Sequence, residues 1–459
     1  MSLMFSKTRR TVLVQGVALG ISPMLTGPLA AATASTVSNG SVRLAFLLGN
    51  RDYPAQQDLP PITKNIRDLK AALEAKGFSV TDALNLDLAK SKTAIADFAK
   101  IVKAAPADAT IFFYFTGHGV QDEARNLLIG AGVNPGQIGE VQNGSLELAQ
   151  DVVGPLAPRA SGATYAVIDS CRVSIRSAIR DRDGLNQVEA PVGCLIAFST
   201  AAGKPAISPA VETENTFYTA SLVKVLNAAA DDTSFADLFR LVRRDVRDTM
   251  LNHPINAVRL VAQDPFIADN TQISVPLQPR PRQAEAPVYD AAQSQQREDA
   301  LWAQIQDSLW PSDITKLAAT YLEQFPKGRR LQSVEVARDG ALEAAKILQR
   351  NDVKLYRSSF QAAATLDDAT KRDIVRAARG DKDAAKRIGV TYKDGGTGQA
   401  LGRYEGWLQY AAMLGNGIAS YDLALYYRKL DQPDFAARYE ARARELGFTP
   451  PPSLKSGRN

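Results

Sequence analysis

Two short stretches concentrate the residues that can do chemistry. Thr164-Tyr165-Ala166-Val167-Ile168 is an apolar, β-branched and aromatic run, the pattern of a fully buried strand, and it ends abruptly in Asp169-Ser170-Cys171-Arg172. Upstream, Thr110-Ile111-Phe112-Phe113-Tyr114-Phe115 has the same character and runs into Thr116-Gly117-His118-Gly119. The chain contains two histidines and two cysteines, and one of each sits just past one of these strands. A thiol with an ordinary pKa of about 8.5 is mostly protonated at neutral pH, whereas the thiolate is the nucleophile. An imidazole beside it can take that proton and later pass it to a leaving amine. The glycines flanking His118 suit a loop whose backbone approaches a substrate closely. The competing reading makes Cys171 a core thiol, since free cysteine is among the most buried residue types.

Strands and helices that could hold these residues alternate along the first half of the chain. Val42 to Asn50 reads as a strand, and Asn65 to Lys76 carries Ile66, Leu69, Ala72 and Leu73 at helical spacing before a Gly77 stop. Phe78-Ser79-Val80 is a short strand, and Lys90 to Lys103 a second amphipathic helix. This alternation predicts a mainly parallel sheet covered on both faces, with its chemistry at the carboxyl ends of the strands. Further on, Asn126 to Gly130 reads as an edge strand and Leu146 to Leu156 as a helix. Cys194 lies in another buried-strand pattern, and helices are expected up to Leu226 and over Phe235 to Asp248. Arg172 to Asp183, with Arg172, Arg176, Arg180 and Arg182, reads as an exposed loop or helix.

A length of 459 residues predicts about three domains. The formal charge of +5 is spread without a dominant Lys/Arg block or aromatic-basic interleaving, which argues against nucleic acid as a partner. Residues 1–34 read as an export signal: Lys7, Arg9 and Arg10 precede an apolar stretch and the small residues Ala30-Ala31-Ala32-Thr33-Ala34. Arg9-Arg10-Thr11-Val12-Leu13 has the look of a twin-arginine signal, which places the mature protein in the periplasm. A membrane anchor is the alternative, opposed by Gly16, Gly20, Pro23, Gly27 and Pro28. An oxidising compartment also opens the alternative of a Cys171–Cys194 disulfide. Prolines 276, 279, 281 and 287 mark a linker over residues 266–295, ahead of a helical region over 296–375. In residues 376–459, Gly380, Ala384, Ile388, Gly389 and Tyr392 recur 35 residues on as Gly415, Ala419, Leu423, Ala424 and Tyr427. That period fits a helix-turn-helix solenoid of tetratricopeptide type.

Six segments, taken in this order, resemble bacterial caspase-like proteins of the metacaspase and orthocaspase branch over residues 41–265. They are Leu47-Leu48-Gly49-Asn50, Leu73 to Phe78, Tyr114 to Gly119, Ile168 to Arg172, Ser199 to Gly203 and Asn215 to Thr219. The resemblance implies an α/β caspase-haemoglobinase-like domain, followed here by an all-α helical-repeat region. It implies His118 as general base and acid, Cys171 as nucleophile, and the backbone N–H groups of Gly119 and Cys171 as oxyanion donors. It also implies that Asp169 lines a pocket for Arg or Lys before the scissile bond. Asn65 stands where the family carries a second pocket aspartate. Trp407, Tyr410, Ala411 and Ala412 with Leu414-Gly415-Asn416 resemble Sel-one-like repeats. The implied protein is a cysteine endopeptidase cleaving after Arg or Lys, acting on peptide or protein substrates, with repeats free to bind a protein partner. No metal or other cofactor is called for, calcium being the one dependence left open, and no membrane span is expected in the mature chain. The rival is a catalytically inactive caspase-fold protein serving as an envelope scaffold, which Asn65 favours.

Overall fold

The computed structural model describes residues 42–122, 125–156, 161–170, 173–174, 188–202, 206–278, 289–393 and 398–448, with backbone alone at 173–174 and 289–292. The expected export signal, Cys171, Arg172 and most of the arginine-rich stretch lie outside the described residues.

Strands β1 (Arg43–Gly49), β2 (Ser79–Leu84) and β3 (Thr110–Thr116) alternate with helices α1 (Ile62–Ala75) and α2 (Leu88–Ala104). Next come β4 (Gly119–Asp122), β5 (Arg125–Ile129), α3 (Ile138–Gly144) and β6 (Ser145–Glu147), then a π-helical turn at Leu148–Val153 and the short α4 (Gly154–Leu156). The α/β half is completed by β7 (Ala163–Asp169), β8 (Val173–Ser174), β9 (Cys194–Phe198), α5 (Phe217–Ala228), α6 (Phe235–Leu251), α7 (Asn256–Leu260) and β10 (Phe266–Asp269). Six strands form the main sheet in the order β10-β9-β7-β3-β1-β2, parallel except for β10. The expected parallel, two-face-covered sheet is therefore present. Two local expectations change. The Asn126 segment belongs to a second, four-stranded sheet of order β6-β5-β4-β8, and the stretch from Leu146 opens as a strand because it pairs with β5 before it coils.

The strands are apolar on both sides because both sides are covered. Phe112, Tyr114, Tyr165 and Val167 meet α1, α5 and α6 through Leu69, Leu73, Leu222, Phe235 and Phe239. Phe113, Phe115, Ala166 and Ile168 face the opposite way, onto Phe98 and Val102 of α2 and onto Leu148 to Leu156. Truncating one such fully buried phenylalanine to alanine costs about 3–5 kcal/mol. This packing fixes the register at the carboxyl ends, where Gly49, Thr116 and Asp169 lie abreast on β1, β3 and β7. The sheet order also reverses between β1 and β3, the kind of crevice where open α/β sheets bind ligands.

The second half is helical throughout: α8 (Tyr289–Asp307), α9 (Pro311–Gln324), α10 (Leu331–Leu348), α11 (Arg357–Ala363), α12 (Asp368–Ala377), α13 (Lys382–Thr391), α14 (Gly398–Met413), α15 (Gly417–Lys429) and α16 (Pro433–Glu445). The 35-residue recurrence has a physical cause. Gly380 and Gly415 adopt left-handed φ values of 81° and 99° after one helix, and the next residues, Asp381 and Asn416, cap the following helix with their side chains. The recurring Ala384/Ala419, Ile388/Leu423 and Tyr392/Tyr427 are all buried.

Helices α12 and α13 lie against the edge strand β10. Arg376 bridges the Asp269 and Asp381 carboxylates at 2.7 and 3.0 Å and donates to the Thr271 and Asp269 carbonyls. Lys382 donates to Ile267 O, and the Asp383 carboxylate accepts from Asp269 N. The stretch expected to open a linker at residue 266 thus begins with a paired and covered strand. Among the described residues, no helix is long and apolar enough to cross a membrane.

Candidate active site

His118 leaves β3 two residues past Thr116, and three contacts hold it. Its backbone N–H donates to the Tyr53 hydroxyl at 3.1 Å, and the two rings meet edge to face with centroids 4.6 Å apart. Its Nε2 lies 2.8 Å from the backbone carbonyl of Gln57. A carbonyl only accepts, so Nε2 carries the proton and the neutral ring presents Nδ1 as its basic nitrogen. Burial lowers the His118 pKa from its ordinary value, with the Gln57 bond opposing, which favours the neutral, proton-accepting form at pH 7. Tyr53 is itself fixed by donating to Ile129 O at 3.1 Å. Gly117 is needed at this corner, because a Cβ there would lie 2.8 Å from the Tyr53 hydroxyl and 2.9 Å from Phe115.

Asp169 ends β7 and is 4% exposed. Its Oδ2 accepts from the hydroxyls of Thr216 at 2.5 Å and Thr219 at 2.7 Å, with the Tyr114 hydroxyl at 3.4 Å. Both threonines belong to the start of α5, whose N-terminal dipole also favours a carboxylate. Burial pushes the Asp169 pKa up, and these hydroxyls with Ser199 pull against that rise. Among the described residues, no cation pairs with Asp169.

Asn65, fully buried on α1, donates from Nδ2 to the Thr116 and Thr216 hydroxyls at 3.3 and 3.2 Å and accepts from Thr216 N–H at 3.1 Å. Thr216 therefore links Asn65 to Asp169. A family model of the caspase domain matches residues 42–287, more than half of the chain. This chain belongs to the caspase family. A search of curated proteins found no match.

Within this caspase domain, Gly119 opens β4 and is buried, while Cys171 lies outside the described residues. The backbone of β4 runs parallel to β8, with Val120 opposite Val173. Cys194 is a free thiol, 1% exposed, at the start of β9 opposite Thr164, the far end of β7 from Asp169. Burial pushes its pKa up to about 11, which makes it a poor nucleophile. The disulfide alternative finds no support in this free thiol. Among the described residues, no group of His, Cys, Asp and Glu is arranged to hold a metal ion. Tyr53 and Gln57 are site residues that sequence reasoning did not single out, while Tyr114, Thr216 and Thr219 fell inside two of the resembling segments without a role assigned to them. Thr216 had a further signal, a threonine at the N-cap position of a helix. Gln57 had none, because it acts through its backbone.

Proposed function

We propose that this caspase-family chain is a cysteine endopeptidase with a His118–Cys171 dyad that cleaves after Arg or Lys. The observation that carries the dyad is the register on either side of it. Thr116 and Asp169, two residues before His118 and Cys171, are abreast on neighbouring strands, and Val120 and Val173, two residues after them, are abreast on β4 and β8. Two chain segments aligned at both flanks support a His–Cys encounter between them.

In this reading His118 Nδ1 takes the Cys171 thiol proton, and the thiolate attacks the scissile carbonyl carbon. The backbone N–H groups of Gly119 and Cys171 stabilise the tetrahedral oxyanion. Its collapse breaks the C–N bond as His118 returns the proton to the leaving amine. Water, deprotonated by His118, then hydrolyses the thioester and restores the thiol. Asp169, a buried carboxylate among hydroxyl donors, supports a guanidinium or ammonium as the preceding side chain, since a charge-assisted pair offsets its burial. We read residues 376–459, with α13 to α16, as Sel-one-like repeats available to a protein partner, and residues 1–34 as a signal directing the chain to the periplasm.

A peptide electrophile ending in Arg tests the assignment on the full chain. One equivalent should attach at Cys171, and His118→Ala should slow the reaction strongly while leaving the fold intact. Cys194 should stay unmodified. Labelling at Cys194, or none at Cys171, would sink the dyad and favour the scaffold, whereas equal labelling by an electrophile ending in Asp would sink the preference for Arg or Lys.

A further inference from the structure

Asn65 occupies the position of the family's second pocket acid, yet its geometry is not that of a substrate contact. It is completely buried, and its amide is engaged with Thr116 and Thr216 on three counts. The Thr216 hydroxyl accepts from Asn65 Nδ2 at 3.2 Å and from Thr219 N–H at 3.3 Å. A hydroxyl has two lone pairs and one proton. With both lone pairs taken, the proton is directed at Asp169 Oδ2, 2.5 Å away. A second relay runs beside it, in which Thr219 donates to the same oxygen and Tyr114 approaches Thr219 at 2.5 Å.

We propose that Asn65 is a positioning residue that acts on recognition of a basic side chain through Thr216, whose hydroxyl it orients onto Asp169. This rests on the reading of Asp169 as the pocket acid. Asn suits the role because it donates. An aspartate at 65 could only accept, and would compete with Asp169 for the single Thr216 proton. Two buried carboxylates joined by one hydroxyl favour uptake of a proton, as like charges sharing a site do. A second acid here therefore narrows the pH range over which the pocket is charged. Among the described residues, the titratable groups facing Asp169 are Tyr114 from β3 and Tyr218 from α5, neither of which is ionised near neutral pH. Burial pushes the Asp169 carboxyl up, and the Thr216 and Thr219 hydroxyls of the relay pull against that rise.

The test is equilibrium binding of acetyl-argininamide to the full chain between pH 4.5 and 8. Wild type should bind in an Asp169-dependent manner, with affinity lost on the acid side. Asn65→Asp should move the acid midpoint up by about one pH unit while binding near pH 8 is kept. Thr216→Val should move it the same way, and Thr216→Ser should restore it. These Thr216 arms keep the test decisive should Asn65→Asp misfold. Tighter binding by Asn65→Asp across the whole range, with an unmoved midpoint, would make position 65 a direct contact and overturn the relay. Unmoved midpoints in both Asn65→Asp and Thr216→Val would overturn it too, leaving the Asp169 pocket standing. Equal binding by wild type and Asp169→Asn would overturn the pocket and the relay together.

Discussion

At the scale of single residues, the site places its titratable groups where burial works on them. Asp169 holds its proton more tightly folded than unfolded, because burial raises its pKa above the ordinary 3.8. Stability attributable to this group therefore falls as pH rises from the ordinary carboxylate value through the raised one, and stays reduced above it. Asp169→Asn should accordingly raise the unfolding temperature at pH 7, by about 1 °C for each kcal/mol relieved in a chain of this length, while abolishing preference for basic residues. The advantage should shrink as pH drops below the carboxylate range. Thermal unfolding across pH checks this, and a lower midpoint at pH 7 would contradict it. Tyr53→Phe removes one hydroxyl that both accepts from His118 N–H and donates to Ile129 O. Loss of one orienting hydrogen bond of that size should lower kcat roughly tenfold with little change in KM. An unchanged kcat would show that the Gln57 carbonyl alone aligns the ring.

At the scale of elements, the same residue types do opposite jobs at the two ends of the sheet. Around Asp169 the donors are neutral hydroxyls; around β10 they are cationic guanidinium and ammonium groups. An edge strand presents unpaired N–H and C=O groups, and here side chains of α12 and α13 take them up. Against the cost of burial, Arg376, Arg240 and Arg387 hold the Asp381 carboxyl well below the usual range. Its contribution is thus present above pH 3.8 and lost as pH falls toward the depressed value. Arg376→Met should destabilise the chain by about 3–5 kcal/mol, since it strands Asp269 and Asp381 in a buried site. Denaturant unfolding measures this, and a change below about 1 kcal/mol would mean Arg240 and Arg387 suffice. Why some elements were legible and others were not follows from the same contrast. β3 and β7 announce themselves because strands covered on both faces must be apolar on both faces. β10 does not, since Phe266-Ile267-Ala268-Asp269 is four residues long and its edge is closed by residues more than 100 positions away. His118 and Asp169 were visible as chemistry at strand ends, whereas the carbonyl that orients His118 has no side-chain signature at all.

At the scale of the whole molecule, the proline-rich stretch after Pro276 suggests two separable halves, and the packing argues otherwise. Arg244 of α6 pairs with Glu335 and Asp339 of α10, Arg330 pairs with Asp232, and Arg240 reaches Asp381. Val336 packs onto the same core as Phe235 and Val242. A chain ending after Gln278 loses every one of these partners, and β10 is left with bare Ile267, Asp269 and Thr271 backbone groups beside the apolar Phe266, whose ring Lys382 had covered at 4.5 Å. Exposed edges of this kind pair with other chains. The truncated protein should therefore self-associate as concentration rises, while the full chain remains unchanged under the same conditions. Sedimentation velocity separates the two outcomes. A truncated chain that stays monomeric and as stable as the full protein would show that the helical half merely rests against β10.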